Sequence, residues 1–224
     1  MENMKNTCQT PKDGPLARVR NEKGFTLIEL AVVLVIIGLI LGSVIKGKDL
    51  ITSAKQKNFY TSFIKSWELA VATYYDRTGY LLGDGTANGG TAATPNGLFD
   101  TIAGTNFGNA NGIDATLKKV GLEIPTTNTG VSGRMAYSSS SGSATVTMYF
   151  YYLPSAVDGG SANRLYFTAM PTELAISLDR IIDGQANSAE GSFRRYPDSS
   201  DAGGVWPDVT ATATINATFL INFP

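Results

Sequence analysis

The chain has 224 residues, a formal net charge of −1 and no histidine, and its single cysteine is Cys8. That composition excludes a histidine general base or metal ligand, a Ser-His-Asp or Cys-His arrangement, an internal disulfide and a zinc–thiolate site. Near-neutral charge gives no basis for a nucleic-acid-binding surface over the whole molecule.

Residues 1–24 are polar. Lys5, Lys12, Arg18, Arg20 and Lys23 outnumber Glu2, Asp13 and Glu22. Residues 25–45 then form a nearly continuous apolar run, and as a helix it reaches about 30 Å, the thickness of a hydrocarbon core. Positive charge before the run places residues 1–24 in the cytoplasm and the remainder outside. The run is too long for a secretory signal core, and no Ala-x-Ala site follows Ile45. A plain anchor gives no reason for Glu29, whose carboxylate costs about 2.5–3.5 kcal/mol within a membrane and so marks a functional residue by default.

Beyond Lys48 the pattern changes. Phe59, Phe63, Trp67, Ala70 or Val71, and Tyr74 recur at steps of three and four, one apolar stripe on a helix. The spacing predicts one helix from Phe25 to about Arg77, roughly 80 Å long, closed by a glycine cap at Gly79. Gly38, Gly42 and Gly47 are its candidate weak points. The Gly38/Gly42 pair permits close helix packing or reflects only the glycine content of such helices.

After residue 80, Gly, Ser, Thr, Ala and Asn are plentiful, while aromatic and β-branched residues persist. That composition suits a β-rich extracytoplasmic domain with long turns. Residues 83–112 read as a loop anchored by Leu98, Phe99, Ile102 and Phe107, open to partner contacts. Residues 112–122 read as a short helix closed by Gly121. Strands are expected at 134–138, 144–153, 165–169 and from Val209 to Phe223, with an enlarged hairpin turn at 157–160. Pro171 opens a helix that Gly184 closes. Asp198, Asp201 and Asp208 lack the spacing of a calcium loop and read as solvated turn residues. Asn216-Ala217-Thr218 matches a glycosylation sequon, but inside an expected strand.

The segment Gly24-Phe25-Thr26-Leu27-Ile28-Glu29-Leu30, behind a basic leader and ahead of an apolar helix, resembles the processing and assembly motif of type IV prepilins and of the pseudopilins of type II secretion. Two weaker stretches are similar to minor pilin-like proteins, Tyr74–Asp84, with Leu82 where that pattern has proline, and Asp179–Gly184.

The resemblance implies an α+β pilin-like fold, a long N-terminal helix packed on an antiparallel sheet. It divides the chain into a removed leader (1–24), a transmembrane or filament-core half-helix (25–48), an amphipathic half-helix (49–78) and a head domain (79–224). It implies prepilin peptidase as a partner, cutting between Gly24 and Phe25, with N-methylation of Phe25. Glu29 then pairs with the terminal amine of a neighbouring pilin subunit. The implied localisation is the bacterial inner membrane, single-pass and in contact with its lipid, followed by an extracellular pilus or a periplasmic pseudopilus.

No enzymatic activity, cofactor, metal or nucleic-acid partner is expected. Three functions follow in order: a minor pilin in a pilus-like filament, a pseudopilin, and a membrane-anchored periplasmic binding protein or enzyme. The proline that many major pilins carry near the end of the apolar stretch is missing, which leaves helix curvature open.

Overall fold

A computed structural model describes residues 24–139, 142–154, 162–196 and 204–221. The chain divides into two units, one ending at Lys46 and the other beginning at Gly47. In the first unit every residue from Gly24 to Lys46 is exposed. Helix α1 (Leu27–Phe59) begins there. Its Val and Ile content suits a strand in water, but in an apolar medium a helix satisfies every backbone group internally. Gly38, Gly42 and Gly47 lie inside α1 without interrupting it.

In the second unit α1 gives way to a π-helical turn over Tyr60–Ile64, and α2 (Lys65–Thr78) follows. The irregularity of the long helix is therefore here and at none of the three glycines, and the residues that must be buried explain why. Phe59, Phe63, Trp67, Val71 and Tyr74 are all buried, at steps of 4, 4, 4 and 3. An α-helix overshoots by about 40° at each four-residue step, so three such steps spread the stripe over about 120°. A π turn takes one more residue into the turn and absorbs the drift. Hydroxyls satisfy the carbonyls there. Thr61 Oγ1 donates to Lys57 O at 3.1 Å, and Ser62 Oγ donates to Asn58 O at 2.6 Å. Ser66 Oγ donates to Ser62 O at 2.7 Å. At the far end Gly79 takes φ +73°, and its N–H donates to Tyr75 O at 2.8 Å.

The sheet has six antiparallel strands: β1 (Ile102–Ala103), β2 (Arg134–Ser139), β3 (Gly142–Leu153), β4 (Ala162–Pro171), β5 (Phe193–Tyr196) and β6 (Thr214–Leu220). Their order is β1-β3-β4-β6-β5, and β2 also pairs with β3. Alternation sends Val146, Met148 and Phe150 of β3, with Leu165 and Phe167 of β4, to the core face. Trp67 is the hub of that core, with its ring 5.0 Å from Phe107 and 6.0 Å from Phe150. Its Nε1–H donates to Ser132 O at 3.2 Å, so the buried indole is satisfied.

In β4 the core residues Phe167 and Met170 are three apart, the wrong parity for one face. A bulge restores it. Ala169 adopts φ +56°, and the pairing shifts from Phe167↔Ala217 to Met170↔Ile215. On the outer face Tyr149, Tyr151, Tyr166 and Tyr196 pack ring against ring at 5.1–6.0 Å. Two short helices complete the unit, α3 (Ile113–Lys119) and α4 (Thr172–Asp183), the latter capped by Gly184.

The expected strands over 134–138, 144–153 and 165–169 are present, each slightly longer. The last strand is shorter than Val209–Phe223 because residues 209–211 turn back on Asp208: Thr210 and Ala211 donate to its carboxylate and carbonyl. Pro171 ends β4 and caps α4 rather than lying within it. β1 and β5 were not expected. The 157–160 turn lies outside the described residues.

Deletion of the exposed Thr61 converts the stripe to steps of 3, 4, 4 and 3, the spacing of an unbroken α-helix. The π turn then disappears and the melting temperature stays within about 5 °C. Deletion of the equally exposed Leu69 swings Val71 and Tyr74 about 100° off the core and destabilises by about 3 kcal/mol or more. Circular-dichroism melts compare the two, and equal losses would show that the wide turn holds no spare residue.

Candidate functional site at the N-terminal helix

The first functional region is the start of α1. Gly24, Phe25 and Thr26 precede the helix, and Phe25 is 85% exposed. Thr26 is the residue at the cap position and Glu29 is the third residue of the helix. The two are reciprocally bonded. Thr26 N–H and Oγ1–H both donate to Glu29 Oε2 at 2.7 Å, and Glu29 N–H donates back to Thr26 Oγ1 at 3.2 Å. This is a capping box, and it satisfies two of the donors that every helix start leaves open. The carboxylate also lies at the positive end of the helix dipole. Thr26-Leu27-Ile28-Glu29 is the S/T-x-x-E signature of that device, a signal present in the sequence beside the glutamate. Gly24 offers an open backbone: a side chain added there meets nothing within 4 Å.

Around that cap the helix is apolar on all sides. The helical stretch Leu27–Thr78 contains a window of mean hydropathy 2.8 with no buried residue, long and apolar enough to cross a membrane. Residues 19–45 match the prokaryotic N-terminal methylation motif. The chain carries the type IV pilin and pseudopilin signature. No curated protein and no solved structure matches the chain. The motif supports a type IV pilin-like or pseudopilin-like subunit, processed by prepilin peptidase and assembled with other pilin subunits. The apolar helix is consistent with membrane anchoring.

The acidic residues of the second unit are the other candidates, and the structure gives them loop-holding work. Asp100 Oδ2 accepts the N–H groups of Gly85, Thr91 and Ala92 at 3.1, 2.6 and 2.7 Å. Asp84, 1% exposed, accepts those of Asn96 and Gly97. Asp183 accepts from Ser192 N–H at 2.9 Å and Phe193 N–H at 2.8 Å. Asp179 Oδ2 accepts from Asn187 N–H at 2.6 Å and Trp206 Nε1–H at 2.7 Å. Carboxylates so occupied present few lone pairs to a calcium ion, which takes six to eight oxygens. Among the described residues no three His, Cys, Asp or Glu side chains are grouped to hold a metal. Asp208 is exposed and bonded to its own turn, while Asp198 and Asp201 lie outside the described residues. Asn216 lies in β6.

Asp179 differs from the others. It is fully buried, and its Oδ1 finds no donor. Burial pushes its carboxyl up to about 6, and the like charge of Asp183 one turn along adds to the rise. A raised native value means that the neutral form is the one folding favours. Its contribution is complete below the unfolded value near 3.8 and is lost as pH rises through about 6. The head is therefore destabilised by up to roughly 3 kcal/mol between pH 4 and pH 7.5 through this group. Asp179→Asn, which keeps an acceptor for Trp206 and Asn187, removes that slope and is more stable than the parent at pH 7.5. Urea titrations at both pH values measure it. A variant whose slope matches the parent's would place the pH dependence elsewhere.

Proposed function

We propose that the chain is a minor pilin: a structural subunit of a type IV pilus or pilus-like filament, cut between Gly24 and Phe25 and N-methylated at Phe25. The observation that carries this reading is the pairing of Thr26 with Glu29 at the head of a wholly exposed apolar helix, within the matched segment 19–45. An apolar surface of that extent needs lipid or other helices around it. In the membrane the helix is an anchor. In a filament the same surface packs against its copies. Cleavage places a cationic amine on Phe25, one residue before the cap. Glu29 then has two claimants, its own cap and the amine of a neighbouring subunit. Exchange from the first to the second fixes the axial register of docking, because a charge left alone in that setting is expensive.

The loops of residues 83–112 and the weak net charge favour a minor role over the bulk of a fibre. A pseudopilin of type II secretion shares the same helix and signature. A filament on the cell surface supports the pilus reading, and one confined to the periplasm supports the pseudopilus.

Mass spectrometry of the membrane-extracted chain should give the mass of residues 25–224 plus one methylene, and an intact N-terminus overturns the processing step. Glu29→Ala should still be cut but should be recovered in sheared filaments at a small fraction of the parent level. Thr26→Val removes only the cap hydroxyl, worth about 1 kcal/mol. It should be cut and should assemble at an intermediate level. Normal incorporation of Glu29→Ala would end the assembly role.

A further inference from the structure

Where α2 ends at Thr78, the chain turns at Gly79 and encloses a cleft of about 370 Å³. That is the low end of the range for small-molecule sites. Tyr75, Tyr80, Asp84, Asn96, Gly97 and Asn163 line it. The chemistry of that lining is selective. Among the described lining residues there is no lysine or arginine to give a phosphate or carboxylate ligand a counter-charge. The carboxylate among them, Asp84, is 1% exposed and occupied by the N–H groups of Asn96 and Gly97, so it is not offered to a cation.

What the cleft does offer is neutral. Tyr80 lines the cleft and is 56% exposed. The Asn96 side-chain oxygen accepts Leu98 N–H at 2.9 Å, which fixes the amide plane and leaves its NH₂ group to donate outward. The framework is held from three directions. Asp84 binds the backbone of residues 96 and 97. From β4, Asn163 Nδ2–H donates to Gly97 O at 3.0 Å, and Asn163 Oδ1 accepts Phe99 N–H at 2.8 Å. Tyr74 Oη–H donates to Asn88 Oδ1 at 2.9 Å, and Asn88 Nδ2–H donates to Asp84 O at 2.8 Å. A loop braced in this way has little ordering entropy left to lose on binding.

We propose that this cleft binds a neutral saccharide, one or two pyranose rings in length. A pyranose has an apolar C–H face that stacks on a phenol ring, and a rim of hydroxyls that pair with a planar amide and a phenolic hydroxyl. Tyr80 and Asn96 are the contact residues. Asp84 and Asn163 are positioning residues that act through the loop. The proposal is independent of whether the filament is a pilus or a pseudopilus.

The test is saturation-transfer-difference NMR on the full chain in a non-glycosidic detergent. The probes are methyl β-D-glucopyranoside, methyl β-D-galactopyranoside and N-acetyl-D-glucosamine, with choline chloride and a proline-rich peptide as competing chemistries. At least one saccharide should receive transfer at its ring protons, with an affinity on the order of 1 mM. Tyr80→Ala and Asn96→Ala, both at exposed positions, should each weaken it by about tenfold or more, and Tyr149→Ala on the sheet's outer face should not. Asn163→Ala should weaken binding and raise amide exchange at residues 97–99 together. Transfer to none of the three saccharides, transfer that survives both Tyr80→Ala and Asn96→Ala, or transfer to choline or the peptide alone overturns the proposal.

Discussion

The long helix has to be soluble in two media, and most of the molecule follows from that constraint. From Leu27 to Ile45 its Leu, Ile and Val side chains are exposed all round, each worth about 1.5–3 kcal/mol if taken out of water. Among the described residues none covers them, and lipid or other helices are the surroundings that would. The next residues, Lys46, Lys48 and Asp49, end the apolar run, and the division of the chain between Lys46 and Gly47 falls at the same place. Past it the helix has the opposite task, which is to bury one narrow stripe and hydrate the rest. The π turn at Tyr60–Ile64 is the adjustment that keeps Phe59, Phe63 and Trp67 on one side.

A head domain with no cysteine and many glycines needs other means to hold its loops. Here aspartates serve. Each of Asp84, Asp100 and Asp183 gathers two or three backbone N–H groups from residues 8–15 positions away in sequence. Hydrogen bonds to charged groups contribute about 1.5–3 kcal/mol each, against about 2–4 kcal/mol for a disulfide. Two such hydrogen bonds, the number a single carboxylate gathers here, therefore match a cross-link in scale, and they do so without an oxidising step. Asp179, buried with one oxygen unserved, is the carboxyl that burial pushes up to about 6.

The architecture was legible because its signals are strong and local. A nearly continuous apolar run over residues 25–45, an aromatic stripe and a β-branched run at 144–153 each point to one kind of element. The weak or missed features share another cause. β1 is two residues and β5 four, and both are strands only because β3 and β6 offer them an edge. The steps of 4, 4 and 4 from Phe59 to Val71 look like ordinary helical spacing one by one, and only their accumulated drift demands the π turn. The loop of residues 83–112 looks open from its small, polar composition. Its order comes from Asp84 and Asp100, whose partners are backbone N–H groups with no residue type to betray them. At the helix start the glutamate was legible and its threonine partner was not weighed, although both stand in the signature.

That partner changes what Glu29 means. The first turn of any helix carries N–H groups with no acceptor, and in an apolar medium each unmet group costs several kcal/mol. Thr26 and Glu29 meet two of those needs between them, so the carboxylate that is expensive in a membrane is also what makes the helix start tolerable there. A glutamate kept only for docking would be a liability until docking occurred. A glutamate that is already an N-cap partner is stable while waiting. Under the proposed function it then trades one set of donors for a stronger one when a neighbour's amine arrives. The number of satisfied groups stays nearly constant through the exchange. An anchor held in lipid can therefore become a subunit packed in a fibre without passing through a state in which the charge stands alone.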